Sequence, residues 1–146
     1  MEDWKSKEDI LGYKVNAFSV EGCVDTLFQS LQKRERTWLA CFNPHSYAVA
    51  LEDKVFFRAL KDADWLVPDG TGVVLASRLL GGAINERVTG SDVFAGLHGH
   101  MNAAGGMSVF FLGSTNETLE RIRQRMVGDY PNIKVAGVYS PPFKDV

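Results

Sequence analysis

Few side chains here combine a reactive type with a local pattern able to position it. Asp69 lies in Trp65-Leu66-Val67-Pro68-Asp69-Gly70-Thr71-Gly72, an apolar run that stops at a glycine turn and resumes as a helix. A carboxylate at such a turn can take a proton from an incoming hydroxyl, and a glycine-rich helix start offers backbone N–H groups to a phosphate. Arg87 and Thr89, in Glu86-Arg87-Val88-Thr89-Gly90-Ser91-Asp92, add a permanent positive charge and a hydroxyl. His45, in Asn43-Pro44-His45-Ser46, can donate to a phosphate or act as a base. Together these parts suit an anionic, phosphate-bearing ligand with a carboxylate beside it. Singly, each has an ordinary reading: Asp69 as a turn residue, Arg87 as a surface arginine, His45 as a loop histidine.

Competing motifs are weaker. Gly70-Thr71-Gly72-Val73-Val74-Leu75 misses the dinucleotide fingerprint because Leu75 stands where the third glycine would be. Asp92 lies about twenty residues on, as a ribose-binding acid would, but at a helix start rather than a strand end. Asp62-Ala63-Asp64 matches a D-x-D metal-diphosphate pattern but precedes its strand, so it belongs at the opposite sheet edge as a solvated connection. His98 and His100 read as surface residues near a helix end. No G-x-S-x-G, H-E-x-x-H or P-loop occurs, so serine hydrolase, zincin and Walker-type readings have no motif behind them.

The positioning elements follow from periodicity. Ile10 to Val20 reads as one or two short strands turning near Lys14-Val15-Asn16. Ser19 caps a helix to about Lys33, with Val24, Leu27, Phe28 and Leu31 inward. Thr37 to Phe42 is an apolar strand. One amphipathic helix is expected from Ser46 to Asp62, with Val49, Phe56, Leu60 and Ala63 on its inner face. Asp64 to Val67 is the next strand, and Val73 to Leu80 the helix after the glycine turn. Ser91 is the expected cap of a helix to about Met101. Ser108 to Gly113 is a buried strand, Ser114 opens a capping box with Glu117, Gly128 closes that helix, and Ile133 to Val138 is a strand. Strand–helix–strand units of this kind make parallel pairs. The fold class is therefore α/β, a Rossmann-like, mostly parallel sheet flanked by helices with a short N-terminal β element.

Size allows one domain over residues 1–146 with a real core. Hydrophobic residues at 45% and charged residues at 23% exclude disordered and fibrous classes, and a net charge of −2 argues against a nucleic-acid binder. Cys23 and Cys41 lack metal or CxxC spacing and fit a reduced, cytoplasmic chain. The first nine residues are too charged for a signal peptide, and no apolar run reaches membrane-spanning length, so any membrane contact is expected to be peripheral. The run Tyr139 to Val146 reads as a strand exit into a loop, and the chain is expected to be the front portion of a longer fold.

Three co-ordered motifs, Asn43-Pro44-His45-Ser46, Ala63 to Gly72 and Glu86 to Asp92, resemble the WecG/TagA/CpsF family of bacterial glycosyltransferases, and Phe110-Phe111-Leu112-Gly113-Ser114 extends the likeness. The resemblance implies inverting transfer of a sugar, such as N-acetylmannosamine or another hexose, from a UDP-sugar donor. The implied acceptor is a polyprenyl-diphosphate-linked sugar at the inner membrane face, in cell-surface polysaccharide or teichoic acid biosynthesis. Asp69 matches the family's general base and Arg87 the arginine on the diphosphate leaving group. Asn43, His45, Gly70, Thr71, Gly72 and Thr89 fall in the motifs expected to bind substrate. Cys41 stands where the family often has threonine.

The same resemblance implies no cofactor and no metal. Family members continue beyond this length, with a Pro-Lys-Gln-Glu motif and a basic helical segment near the membrane that this sequence lacks. The alternative reading is a non-catalytic nucleotide- or sugar-phosphate-binding module derived from such an enzyme.

Overall fold

The computed structural model describes residues 6–142. The charged start at residues 1–5 and the expected loop at 143–146 lie outside them. Two compact units divide the chain, Met1–Leu97 and His98–Val146, and each is described by itself.

The first unit opens with a hairpin, β1 (Lys7–Ile10) and β2 (Tyr13–Asn16), paired antiparallel with Ile10 opposite Tyr13. The turn lies at Leu11-Gly12, not at Lys14 to Asn16. Both turn residues have positive φ, 52° and 84°, the backbone of a tight two-residue hairpin whose twist matches its strands. Ser19 caps α1 (Val20–Gln32) by accepting from the Gly22 amide at 3.1 Å. Cys23, Val24, Leu27 and Ser30 form its buried face, while Leu31 is exposed, so the inner stripe is rotated from the expected one.

β3 (Leu39–Phe42) and β4 (Trp65–Pro68) pair in parallel, with Cys41 opposite Val67 and Phe42 opposite Pro68. Two helices join them where one was expected: α2 (Pro44–Glu52) and α3 (Lys54–Asp62). Asp53 is the reason. Its backbone is extended and its carboxylate accepts from the Val55 and Phe56 amides at 2.8 and 3.0 Å, capping a new helix instead of continuing the old one. Val49, expected on the inner face, is partly exposed as a result. The Asp62-Ala63-Asp64 connection lies at the amino edge as expected, where the Asp64 carboxylate accepts from the Trp38 amide at 2.9 Å.

Side chains alternate across this pair, so each face of β3–β4 has its own core. Ala40, Phe42 and Leu66 pack with the hairpin residues Ile10, Tyr13 and Val15 and with Leu60, Val73 and Ile84. Leu39, Cys41, Trp65 and Val67 pack with Phe18, Cys23 and Leu27 and with Val88 and Val93. Asn16, fully buried, joins hairpin to sheet by accepting from the Leu66 amide at 2.9 Å. After β4 comes α4 (Thr71–Leu79), and α5 (Gly90–Ala104) contains the unit boundary.

Burial has a pH consequence. It pushes the Cys23 thiol up to about 12, with Cys41 adding to the effect, and it raises the Tyr13 phenol, with Tyr47 contributing. An unfolded chain would lose these protons earlier, from about pH 9 for the thiol. Above that pH the folded state holds more protons than the unfolded one, so stability is fully present below pH 9 and falls as pH rises toward 12. Melting temperature measured from pH 8 to pH 11 is expected to decline, and Cys23→Ala to flatten the decline; an unchanged slope in that variant would contradict the assignment.

In the second unit β5 (Ser108–Leu112) and β6 (Lys134–Tyr139) form a parallel pair joined through α6 (Asn116–Asp129). β5 is half exposed rather than buried, with Phe110 and Leu112 open to solvent. Thr115, one residue later than expected, caps α6 by accepting from the Thr118 amide at 3.2 Å, because Ser114 takes a left-handed backbone with φ 63°. The helix continues through Gly128 to Asp129. His98 is buried in this unit, 5.4 Å from the Tyr130 ring, and is not the surface residue its sequence context suggested.

The architecture is α/β, with short parallel pairs flanked by helices and a small antiparallel hairpin in front.

Candidate functional site

The site is built where β3 and β4 end. The Asp69 amide donates to the Phe42 carbonyl at 2.9 Å, which extends the parallel pairing by one residue and brings the two strand exits together. Asn43 then caps α2. Its side-chain oxygen accepts from the Ser46 amide at 2.8 Å, and the Ser46 hydroxyl accepts from the Asn43 amide at 2.9 Å. Pro44 follows at the first helical position, where a missing N–H costs nothing.

Gly70 begins α4 with φ 135°, a backbone that disfavours any Cβ, and its would-be Cβ position lies 3.6 Å from Asn43 Cβ. Gly72 lies closer still: a Cβ there would sit 3.0 Å from Pro44 Cγ. These two glycines let α2 and α4 start side by side at the carboxyl edge of the pair.

The third segment arrives by a backbone bond. The Val88 amide donates to the Pro68 carbonyl at 2.9 Å, so residues 86–90 run alongside the end of β4. Thr89 then caps α5. Its hydroxyl accepts from the Asp92 amide at 3.1 Å and donates to the Asp92 carboxylate at 2.6 Å, which also accepts from the Thr89 amide at 3.3 Å. The cap is Thr89, not Ser91, and Asp92 is its partner. Those Thr89 contacts, with the nearby Arg87 charge a smaller influence, hold the Asp92 carboxyl below the usual carboxylate range.

The three sequence motifs therefore meet at one edge. Asp69 is half-buried there, continuing the β4 face that carries Trp65 and Val67, the face that Cys41 also shares. Burial and then the neighbouring Asp69 charge raise the Cys41 thiol, which hydrogen-bonds that carboxylate, while the Gly90 N–H works the other way. Cys41 is thus a neutral thiol against Asp69 rather than a nucleophile.

Two hollows adjoin the edge. A groove of about 480 Å³ is lined by Thr71, Gly72, Leu75, Arg78, Asn85 and Arg87. A smaller one of about 120 Å³ lies against Leu11, Asn43, Pro44, Tyr47 and Gly72. Gly72 is common to both, while Asp69, His45 and Thr89 line neither. His45 is exposed on the first turn of α2. Arg78 and Asn85 were not singled out from sequence; the one signal for Arg78 is its position seven residues after Thr71, two turns along the same helix face.

Among the described residues, no three of His, Cys, Asp and Glu gather as a metal-ligand set. No described helix is long and apolar enough to cross a membrane.

A parallel strand pair with two helix starts, a carboxylate and an arginine loop at its carboxyl edge is the arrangement in which open α/β sheets form a crevice outside their strand ends. The glycosyl transferase WecG/TagA/CpsF family matches residues 8–146, and the chain belongs to that family. Among curated relatives, the N-acetylglucosaminyldiphosphoundecaprenol N-acetyl-beta-D-mannosaminyltransferase of Bacillus subtilis (strain 168) is 32% identical over 99 residues, covering 68% of this chain and 38% of the relative. The protein of that name from Bacillus spizizenii is 29% identical over 115 residues, 79% of this chain and 44% of the relative. The one from Staphylococcus aureus (strain NCTC 8325) is 29% identical over 135 residues, 90% of this chain and 52% of the relative. The chain therefore spans about half or less of the length of these relatives.

Proposed function

We propose that this chain carries the donor-binding and base-bearing part of an inverting glycosyltransferase. The reaction moves N-acetylmannosamine or another hexose from a UDP-sugar to a sugar on a polyprenyl diphosphate, in the synthesis of teichoic acid or a related surface polysaccharide. The observation that carries this reading is the meeting of Asn43, Asp69 to Gly72 and Arg87 to Thr89 at one strand-pair edge. The relatives' names supply the sugar and the acceptor.

The chemistry follows from the parts. Asp69 takes the proton of the acceptor hydroxyl as its oxygen attacks the anomeric carbon from the face opposite UDP. The anomeric carbon–oxygen bond breaks, its electron pair leaves with UDP, and the configuration inverts. Arg87 balances the charge growing on the departing diphosphate, and the Gly70-Thr71-Gly72 backbone at the start of α4 adds N–H dipoles. Asn43, His45 and Thr89 contact the substrates from the flanking helix starts. Arginine supplies the positive charge in this scheme, so no metal or other cofactor is required. A lipid-linked acceptor calls for peripheral membrane contact, and a UDP-sugar donor for the cytoplasmic face of that membrane.

The test is transfer of labelled N-acetylmannosamine from its UDP donor to a polyprenyl-diphosphate-linked N-acetylglucosamine, run with and without EDTA by protein containing this chain. Transfer with inverted anomeric configuration, undiminished by the chelator, is expected. Loss of transfer in EDTA would overturn the metal-independent scheme. UDP binding without any transfer would favour the second reading, a binding module.

A further inference from the structure

We infer that Arg78 is a second phosphate ligand and forms, with Arg87, a two-guanidinium clamp for a diphosphate in the groove along α4. The inference rests on the proposed use of Arg87 and extends it to a residue that the sequence motifs do not mark.

Both arginines line the same groove of about 480 Å³ and both are exposed there. The remaining lining side chains are neutral, so two fixed positive charges face one hollow without a carboxylate among its walls. Neither arginine forms an ion pair with a described residue; the described arginine pairs are those of Arg121 with Glu117 and Arg125 with Asp129. Asp92, outside the groove lining, is a carboxylate near Arg87, but two guanidinium groups facing one hollow still repel each other, and an anion placed between them removes that cost.

Geometry favours a ligand with two linked phosphates. Arg78 lies seven residues after Thr71 on α4, about 10 Å along the helix axis. Helical side chains lean toward the N-terminus, which favours an Arg78 guanidinium directed toward the first turn, and Thr71 and Gly72 line the same groove. Arg87 lines the groove from a different segment, the one fixed by the Val88–Pro68 bond. An arginine in the last turn of a helix also complements the helix dipole. That accounts for a basic residue at position 78, but not for its sharing a groove with Arg87.

A diphosphate reaches this groove from either of two sources in the proposed reaction, the nucleotide or the lipid-linked acceptor. Calorimetric titrations of the chain with UDP, uridine, inorganic pyrophosphate and farnesyl diphosphate separate them. Pyrophosphate is expected to bind, and Arg78→Gln to weaken it about tenfold, as expected for loss of one of two charge-assisted contacts at an exposed site. Arg78→Lys should fall between, because it keeps the charge and loses the fork. Arg58→Gln, on the exposed face of α3 outside the groove, should change nothing.

UDP stronger than uridine, with the gain lost in Arg78→Gln, identifies the nucleotide as the source. An Arg78-dependent gain for farnesyl diphosphate alone identifies the lipid. Diphosphate binding that is equal in wild type and Arg78→Gln overturns the clamp while leaving the proposed function standing. A wild-type chain that binds none of the diphosphates overturns both. The Arg78 side chain has no described hydrogen bond or ion pair to lose, so unchanged melting temperature in Arg78→Gln confirms that affinity alone is being read.

Discussion

Replacing Asp69 with Asn is expected to lower the rate of sugar transfer by about 10²- to 10⁴-fold, the contribution of a positioned general base. UDP affinity should change by less than about threefold. Asn matches the carboxylate in shape and keeps an oxygen that can accept from the Cys41 thiol, but it cannot take the acceptor's proton. The loss should therefore appear in kcat and in kcat/KM to a similar degree, as for an interaction made only in the transition state. The backbone would be undisturbed, because the Asp69 amide stays bonded to the Phe42 carbonyl and an Asn oxygen preserves the side-chain contact with Cys41. A variant retaining full transfer would remove Asp69 from the role of base. A variant losing UDP binding as severely as transfer would make Asp69 a binding residue instead.

The second large effect is on stability, and it begins far from the reacting atoms. Glu8 in β1 gathers four donor contacts: the Ser77 hydroxyl lies 2.9 and 3.0 Å from its two oxygens, and the Ala83 and Ile84 amides donate at 3.0 and 2.8 Å. Ser77 and Ile84 are buried, so their donors have no access to bulk water, whereas Ala83 is exposed; the Ile84 amide also reaches the Ser77 hydroxyl at 3.1 Å. Hydrogen bonds to a charged group are worth about 1.5–3 kcal/mol each, and an orphaned buried donor costs about 1–3 kcal/mol. Glu8→Ala should therefore cost about 3 kcal/mol, which for a domain of this size lowers the melting temperature by roughly 10 °C.

Gly82 sits directly on that carboxylate: a Cβ there would lie 1.5 Å from Glu8 Oε1 and 2.6 Å from Ser77 Oγ. Gly82→Ala must expel the Glu8 head group, so it should cost nearly as much as Glu8→Ala. The two losses share one cause and should not add; a double-mutant cycle is expected to return a coupling of about 2 kcal/mol. Simple additivity would show that Gly82 and Glu8 act independently. The same variants should weaken UDP binding, because the segment held by Glu8 leads directly into Asn85 and Arg87.

Much of this organisation was legible from residue order. The strand–glycine–helix passage through Asp69 and the parallel pairing of β3 with β4 follow from apolar runs and turn chemistry, and both are present. The meeting of the Asp69 and Arg87 segments at one sheet edge is expected from the strand–helix reading, and the family resemblance adds Asn43 to them. What sequence missed was decided by local competition or by distant contacts. Asp53 looked like one more polar residue on a helix, yet its carboxylate prefers backbone amides and splits the helix in two. Thr89 and Ser91 offer equivalent hydroxyls, and the acid three residues beyond Thr89 settles which becomes the cap. Glu8 gives no local sign of its role, because its partners lie 69 to 76 residues away. Arg78 likewise gains its setting only from Arg87, which arrives on a separate segment.

The central claim is that the carboxyl edge of β3–β4 receives the diphosphate-sugar donor. Amide chemical-shift mapping of the ¹⁵N-labelled chain during titration with UDP tests it most directly. The account predicts saturable shifts concentrated at Asn43, Gly70 to Gly72 and residues 85–89, with the Asp62 to Asp64 connection at the opposite edge silent. Shifts centred on Asp62 to Asp64, or no saturable shift at the carboxyl edge, would contradict it.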